Sequence, residues 1–476
     1  MNLISFPWLE VAIGAPLCTT FVIRHTRQPE TARSICLAVS VLGLLMTLGG
    51  WLDLWLQGIP VLENRWLHQW MPGILEIDHL NAPLLVLTSL LLTLKALTTL
   101  RTKLKKFSFD LFLWRSSLAL AVFACREPWM LLTLASVAMV PPWMELRQRG
   151  QPTRIYTIHM GLCVACLFAG QALVSAFPAA SATATAGMGL LVVGVLIRSG
   201  MFPFHTWVPD LFQRATFGTS LLFVAPMTGV YLATRLLLPT APDWLLSCLA
   251  HIAAFTAVYA GGLALVQKES RRFYSYLFLS QSALVLMGLN LITPLVLTGA
   301  LSLWLSMGLA LGGFGLVLRS IEARIGPFSL EEYRGLYSQM PTLAAFFLLT
   351  GLASIGFPGT VGFISWELIL DGVVGASPFL GVIGVISSAL NGIAILMAYL
   401  RIFTGAQSST TISLRILPRE RVAVLVVTLL LIGGGLFPQP AILSRYQAAM
   451  ELVEQRGVPH DIPNASPHGS HSPSNP

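Results

Sequence analysis

The sequence predicts an all-α polytopic membrane protein of about fourteen transmembrane helices, two of them interrupted and arranged as an inverted repeat. Three observations carry that reading. Hydrophobic residues make up 55% of the chain and charged residues only 11%, about half the charged share of a soluble domain. The apolar residues gather into blocks long enough to cross a bilayer, with too few charges for barrel strands. Basic residues then return at alternate block ends, as membrane topology requires.

The blocks run approximately over 5–23, 34–51, 82–100, 110–125, 128–144, 155–177, 184–203, 217–236, 244–266, 273–291, 295–318, 341–373, 379–402 and 421–438. Arg24, Arg27 and Arg33 follow the first. Arg101, Lys103, Lys105 and Lys106 follow the third, and Arg147, Arg149 and Arg154 the fifth. Lys268, Arg271 and Arg272 follow the ninth, Arg319 and Arg324 the eleventh, and Arg401, Arg415, Arg419 and Arg421 the thirteenth. The alternate loops are acidic or neutral, with Asp53, Glu63, Glu76, Asp78 and Asp243. The positive-inside rule therefore places both termini outside the cytoplasm, in a cell inner membrane. The block at 184–203 is broken by Ser199-Gly200 and Pro203, and that at 341–373 by Gly356-Phe-Pro-Gly359. Residues 1–456 form one transmembrane domain, and the Pro-, Ser- and His-rich tail at 457–476 reads as disordered.

Composition excludes several classes. The net charge of +8 resides in short loops between spans, so nucleic acid is not the partner. The six cysteines lie in or beside apolar blocks and suit packing better than disulfides or metal. No iron–sulfur ligand cluster and no phosphate-binding glycine fingerprint is present, so no cofactor is expected. The first block lacks a basic lead and a cleavage site, so it reads as a retained span.

Function then rests on ionisable residues inside apolar blocks, which are costly there. These are Lys95, His159, Arg198, His251, Glu367 and Asp371. Burial pulls lysine, histidine and carboxylate pKa values toward neutrality, which suits proton transfer, whereas arginine holds its proton. Lys95 and His159 lie near span ends, where snorkelling to the interface is the simpler reading. His251 reads as a packing residue.

Three ordered motifs resemble the antiporter-like proton-channel subunits of respiratory complex I, membrane-bound hydrogenases and Mrp-type cation/proton antiporters. The first is Leu196-Ile-Arg-Ser-Gly-Met-Phe-Pro-Phe-His-Thr-Trp-Val-Pro-Asp210, with Arg198, His205 and Asp210. The second is Glu269-Ser-Arg-Arg-Phe-Tyr-Ser-Tyr276, with Glu269 and Arg271. The third joins Glu332-Tyr-Arg-Gly-Leu336 to Leu352-Ala-Ser-Ile-Gly-Phe-Pro-Gly-Thr-Val-Gly-Phe363. The likeness spans about residues 75–405 and implies an ion-conducting subunit without its own redox site.

The departures are specific. Arg198 stands where the family places a lysine, and Ser136 where it places a membrane glutamate. Met307 or Leu311 occupies a histidine or lysine position. Trp366 takes the position after the second break, with Glu367 one residue away. Three functions remain open. One is a proton-translocating subunit of an NADH:quinone oxidoreductase-like complex. Another is a subunit of a cation/proton antiporter or inorganic-carbon-accumulating complex. The third is a scaffold that conducts nothing. All three imply other membrane subunits as partners, and the first two allow a large soluble or peripheral one.

Overall fold

A computed structural model describes residues 6–26, 28–57, 74–99, 107–406 and 416–457. Arg27, Glu63, Arg101, Lys103, Lys105, Lys106, Arg415 and the tail after Gly457 lie outside the described residues. The apolar blocks fold as α1 (Trp8–His25), α2 (Pro29–Gln57), α3 (Ala82–Leu97), α4 (Phe109–Ala124), α5 (Pro128–Val137), α6 (Val140–Gln148), α7 (Arg154–Ala176), α8 (Ala182–Ser199), α9 (Trp207–Arg214), α10 (Phe217–Val224) and α11 (Thr228–Leu232). A π turn at Ala233–Leu237 follows. Then come α12 (Asp243–Val266), α13 (Ser270–Leu289), α14 (Pro294–Ile325), α15 (Pro341–Ser354), α16 (Val361–Ala376), α17 (Pro378–Phe403), α18 (Pro418–Leu436) and α19 (Gln439–Gln455). Many open with proline in the first turn, where its missing N–H and fixed φ cost nothing.

Eight of these segments are long and apolar enough to cross a membrane alone, or nine if α18 and α19, bent by 79°, count as one. The other apolar blocks form shorter or more polar helices, so the expected fourteen crossings are not matched by fourteen long helices. α14 is the spine. At 32 residues it is roughly 48 Å long. It packs against α3, α10, α13, α15, α16, α18 and α19. This helix and Phe217–Leu237 are almost wholly buried, whereas α2 and α7 present most of their surface outward.

Both interrupted blocks break by the same device. α8 ends at Gly200, whose φ of +68° is left-handed, and Met201 N–H reaches back to the Leu196 carbonyl. α15 ends at Gly356, at φ +80°, with Phe357 N–H on the Leu352 carbonyl. Each is a Schellman-type stop followed by phenylalanine and proline, which cannot continue the helix. Helix resumes at Trp207 and at Val361. The basic ends of the helices meet on one face, where Arg271 pairs with Glu322, Arg324 with Glu420 and Arg319 with Thr98. α8 runs toward that face and α15 away from it, which is the inverted relation. A further break, not expected from the sequence, divides α10 from α11. Pro226 removes a donor there, and Met227 adopts φ +54°.

At Gly200 an added Cβ would meet Val208 and Leu279 at 2.7 and 2.8 Å in a backbone shape that disfavours it. Gly200→Ala should therefore destabilise by about 1–3 kcal/mol. Thermal unfolding of the detergent-purified protein measures this. An unchanged Tm would mean that the break tolerates a side chain.

Candidate functional site

On the basic face, the ends of α3 and α6 and the starts of α4 and α10 surround a cavity of about 350 Å³. Lys95, Arg115, Glu145, Gln148, Arg149, Thr216 and Thr219 supply its polar wall. Glu145 is its centre. Its carboxylate accepts from Thr216 N–H at 2.8 Å and from the Thr219 hydroxyl, and Arg115 Nη2 lies 3.6 Å away. Arg149 adds a longer contact of 3.9 Å. Lys95 does not snorkel. It is only 4% exposed, with its ammonium 5.7 Å from the Phe107 ring centre and close over Gly218, which leaves room by lacking a side chain.

Behind this cavity Tyr156, Trp207 and Phe223 form an aromatic layer, and Arg198 lies on its far side. Arg198 is 4% exposed and has no carboxylate partner. Its guanidinium stacks on the Phe223 ring at 4.1 Å, and Nη2 donates to the Phe223 carbonyl at 3.3 Å. That carbonyl is free because Met227 N–H turns to Val224 instead of completing the α-helical bond. The unpredicted break at Pro226 thus supplies the acceptor for the buried charge. A small cavity of about 10 Å³ touches Arg198, Ser199 and Ser282. Farther in, Ser280, Ser387 and Asn391 form a buried hydroxyl–amide chain with links of 3.0 and 2.8 Å.

The remaining sequence candidates are scattered. His205 is buried in the segment between α8 and α9, against Phe202, Tyr259 and Tyr276. His159 reaches Thr206 at 3.2 Å. Asp210 pairs with Arg214 on its own helix at 2.6 Å, while Thr216 caps the next. Glu269 accepts from Gln213, and Arg271 ties the Phe212, Gln213 and Ala215 carbonyls to Glu322. Glu367 and Asp371 are exposed on α16. His251 is exposed as well, bonds its own helix at Ser247 and stacks on Phe379.

Sequence reasoning missed two clusters. Arg115 was visible as a charge within the block at 110–125, but Glu145 lies one residue past the end of its block. The second cluster is at the opposite face. Asp78 pairs with Arg235 at 2.5 Å and with Arg126 at 3.6 Å, and Arg126 with Glu76 at 3.0 Å. Tyr231 and Asn81 complete the network. Burial alone would raise the Asp78 carboxyl. The Arg235 and Arg126 guanidiniums overcome it and hold the group below the usual carboxylate range.

Residues 158–391 match the family model described as NADH:quinone oxidoreductase/Mrp antiporter, TM. The chain is 28% identical to NAD(P)H-quinone oxidoreductase chain 4 1 of Synechococcus sp. (strain JA-3-3Ab), over 92% of this chain and 91% of that one. Against NAD(P)H-quinone oxidoreductase chain 4 of Prochlorococcus marinus (strain AS9601) identity is 26%, over 95% and 93%. The chain thus resembles the NADH:quinone oxidoreductase/Mrp antiporter family, whose model it matches over residues 158–391. Its fold matches a chain of respiratory complex I from Thermus thermophilus with a TM-score of 0.83 at 22% identity, covering 94% of this chain and 100% of that one. It matches a chain of the Mrp complex from Dietzia sp. DQ12-45-1b with a TM-score of 0.83 at 17% identity, covering 95% and 98%.

Within this family framework the departures acquire positions. Ser136 is spent on its own helix, bonding the Leu132 carbonyl at 2.7 Å. Met307 and Leu311 are buried among apolar side chains. Trp366 packs at Gly384, which turns Glu367 to the outside.

The Asp78–Arg235 pair generates a test. Removing one partner strands a buried charge, so Asp78→Leu should cost about 3–5 kcal/mol, and Asp78→Leu with Arg235→Leu should cost less than either single change. Thermal unfolding across the four variants measures the coupling. Because the folded pKa is lowered, the contribution is full above the usual carboxylate range and lost as pH falls through the folded value. Additive single effects would mean the pair is not coupled.

Proposed function

We propose that this chain is a proton-translocating membrane subunit of a multi-subunit energy-converting complex, with redox or other driving chemistry in partner chains. The alternation of basic loops supports a cytoplasmic basic face, a plasma-membrane location and both termini outside. The observation that carries the ion path is Glu145, a carboxylate held by Arg115 and two threonines beside a 350 Å³ cavity at the basic face. A proton entering that cavity neutralises Glu145 and releases Arg115. The freed guanidinium then changes the field across the aromatic layer at Arg198. Arg198 holds its proton and acts as a fixed charge that raises the barrier to other cations. Beyond it, among the described residues, hydroxyls and amides line the interior, and onward transfer runs by way of Ser199, Ser282, Ser280 and Asn391.

A second reading is a subunit that assembles but does not conduct. The non-titratable Ser136, Met307, Leu311 and Trp366 and the outward Glu367 favour it.

Proton flux into vesicles containing the purified complex decides between them. Glu145→Gln should lower flux at least tenfold with assembly intact. Arg198→Lys should keep assembly, and Arg198→Ala should impair assembly or flux. Equal flux in Glu145→Gln removes this carboxylate from the path, and absent flux in the unaltered complex favours the scaffold.

A further inference from the structure

We propose that the outward face of α16 docks a membrane-spanning helix of another subunit, one that carries a lysine or arginine opposite Glu367 and Asp371. The proposal rests on reading the chain as one subunit of a larger membrane complex. Phe363, Glu367 and Asp371 follow one another at four-residue spacing and share one helix face. All three are exposed, and neither carboxylate makes an ion pair or hydrogen bond within the described chain. Their depth is fixed by neighbours. Gly372 packs on Val296, near the start of α14, and Trp366 packs on Gly384, inside a helix that begins at Pro378. Asp371 therefore lies near the membrane edge opposite the basic face, and Glu367 one turn deeper toward the hydrocarbon. Bare carboxylates there are unfavourable against lipid.

The surroundings suit a helix and not water. Phe379, Val382, Val385 and Ile386 of α17, which packs against α16, are exposed. His251 of α12 is exposed too, its ring stacked on Phe379 at 6.5 Å. Among the described residues, a second copy of this chain offers no unpaired cation at this depth. The exposed arginines and lysines among the described residues, such as Arg24, Arg149, Lys268 and Arg419, lie at the basic face, far from this depth. Arg126 and Arg456 near the opposite face are already paired. The complementary cation is assigned to a different chain, where a guanidinium or ammonium group can reach both carboxylates.

The test uses native membranes containing the whole complex. p-Benzoylphenylalanine replaces Phe363, and separately Leu162, an outward residue of α7. After irradiation, the adducts are identified by mass spectrometry. The Phe363 probe should attach to a membrane-spanning segment of another subunit that contains lysine or arginine. Glu367→Gln with Asp371→Asn should lower that yield at least fivefold and leave the Leu162 adducts unchanged. Adducts only to lipid, to a second copy, or to a segment without a basic residue would overturn the proposal. Native gel migration separates the two levels. A chain that migrates alone refutes the complex, whereas one that co-migrates with partners but labels only lipid refutes this face alone.

Discussion

A charge in hydrocarbon must be answered from within the protein, and most of this structure is arranged around that constraint. Lys95, Arg115 and Arg198 sit in the interior because each has been given something other than water. Lys95 has an aromatic face, Arg115 has Glu145, and Arg198 has a carbonyl and a ring. The backbone obeys the same rule. At its break at Pro226 the carbonyl that is released lies where protein surrounds it. That carbonyl becomes the partner of Arg198, so a helix defect and a buried charge compensate each other.

The charges also divide the molecule. Among the described residues, titratable groups cluster at the basic face around Glu145 and at the other face around Asp78, and the buried interior between them holds hydroxyls and amides beside Arg198. This differs from what the family resemblance implies, a line of protonatable side chains along the middle. The substitutions at Met307, Leu311 and Trp366 leave that line apolar, and Glu145 lies nine residues from Ser136, about two and a half turns away. The carboxylate has moved from mid-span to the membrane boundary.

Much of this was legible in the chain, and the reason is periodicity. Apolar runs located the helices, and glycine followed by phenylalanine and proline located both interrupted blocks, because left-handed backbone and a missing donor are local properties. The break at Pro226 sits in the same kind of apolar run but lacks the glycine, so Met227 carries the left-handed turn without a sequence signal. Pairings between distant segments were not legible. Nothing local to Asp78 indicates that Arg235 will meet it, and nothing local to Lys95 indicates that it will lie over Gly218 and not reach for the interface. Helix rotation decides such matters, as at Glu367, where a single residue separates an inward tryptophan from an outward carboxylate.

The closing contact of the fold has a consequence for biogenesis. Arg445 of α19 donates to the carbonyls of His79 and Leu80, 366 and 365 residues earlier in the chain. Those carbonyls belong to the turn that carries Asp78, so the ion cluster gains this support only after a further 365 residues have been made. During insertion the early helices must wait, with this turn open, for a segment still to be synthesised. A product ending before Arg445 would contain every other helix described above and still present an unfinished surface. That surface is a signal for quality-control proteases, so α19 acts as a seal on the turn made long before it.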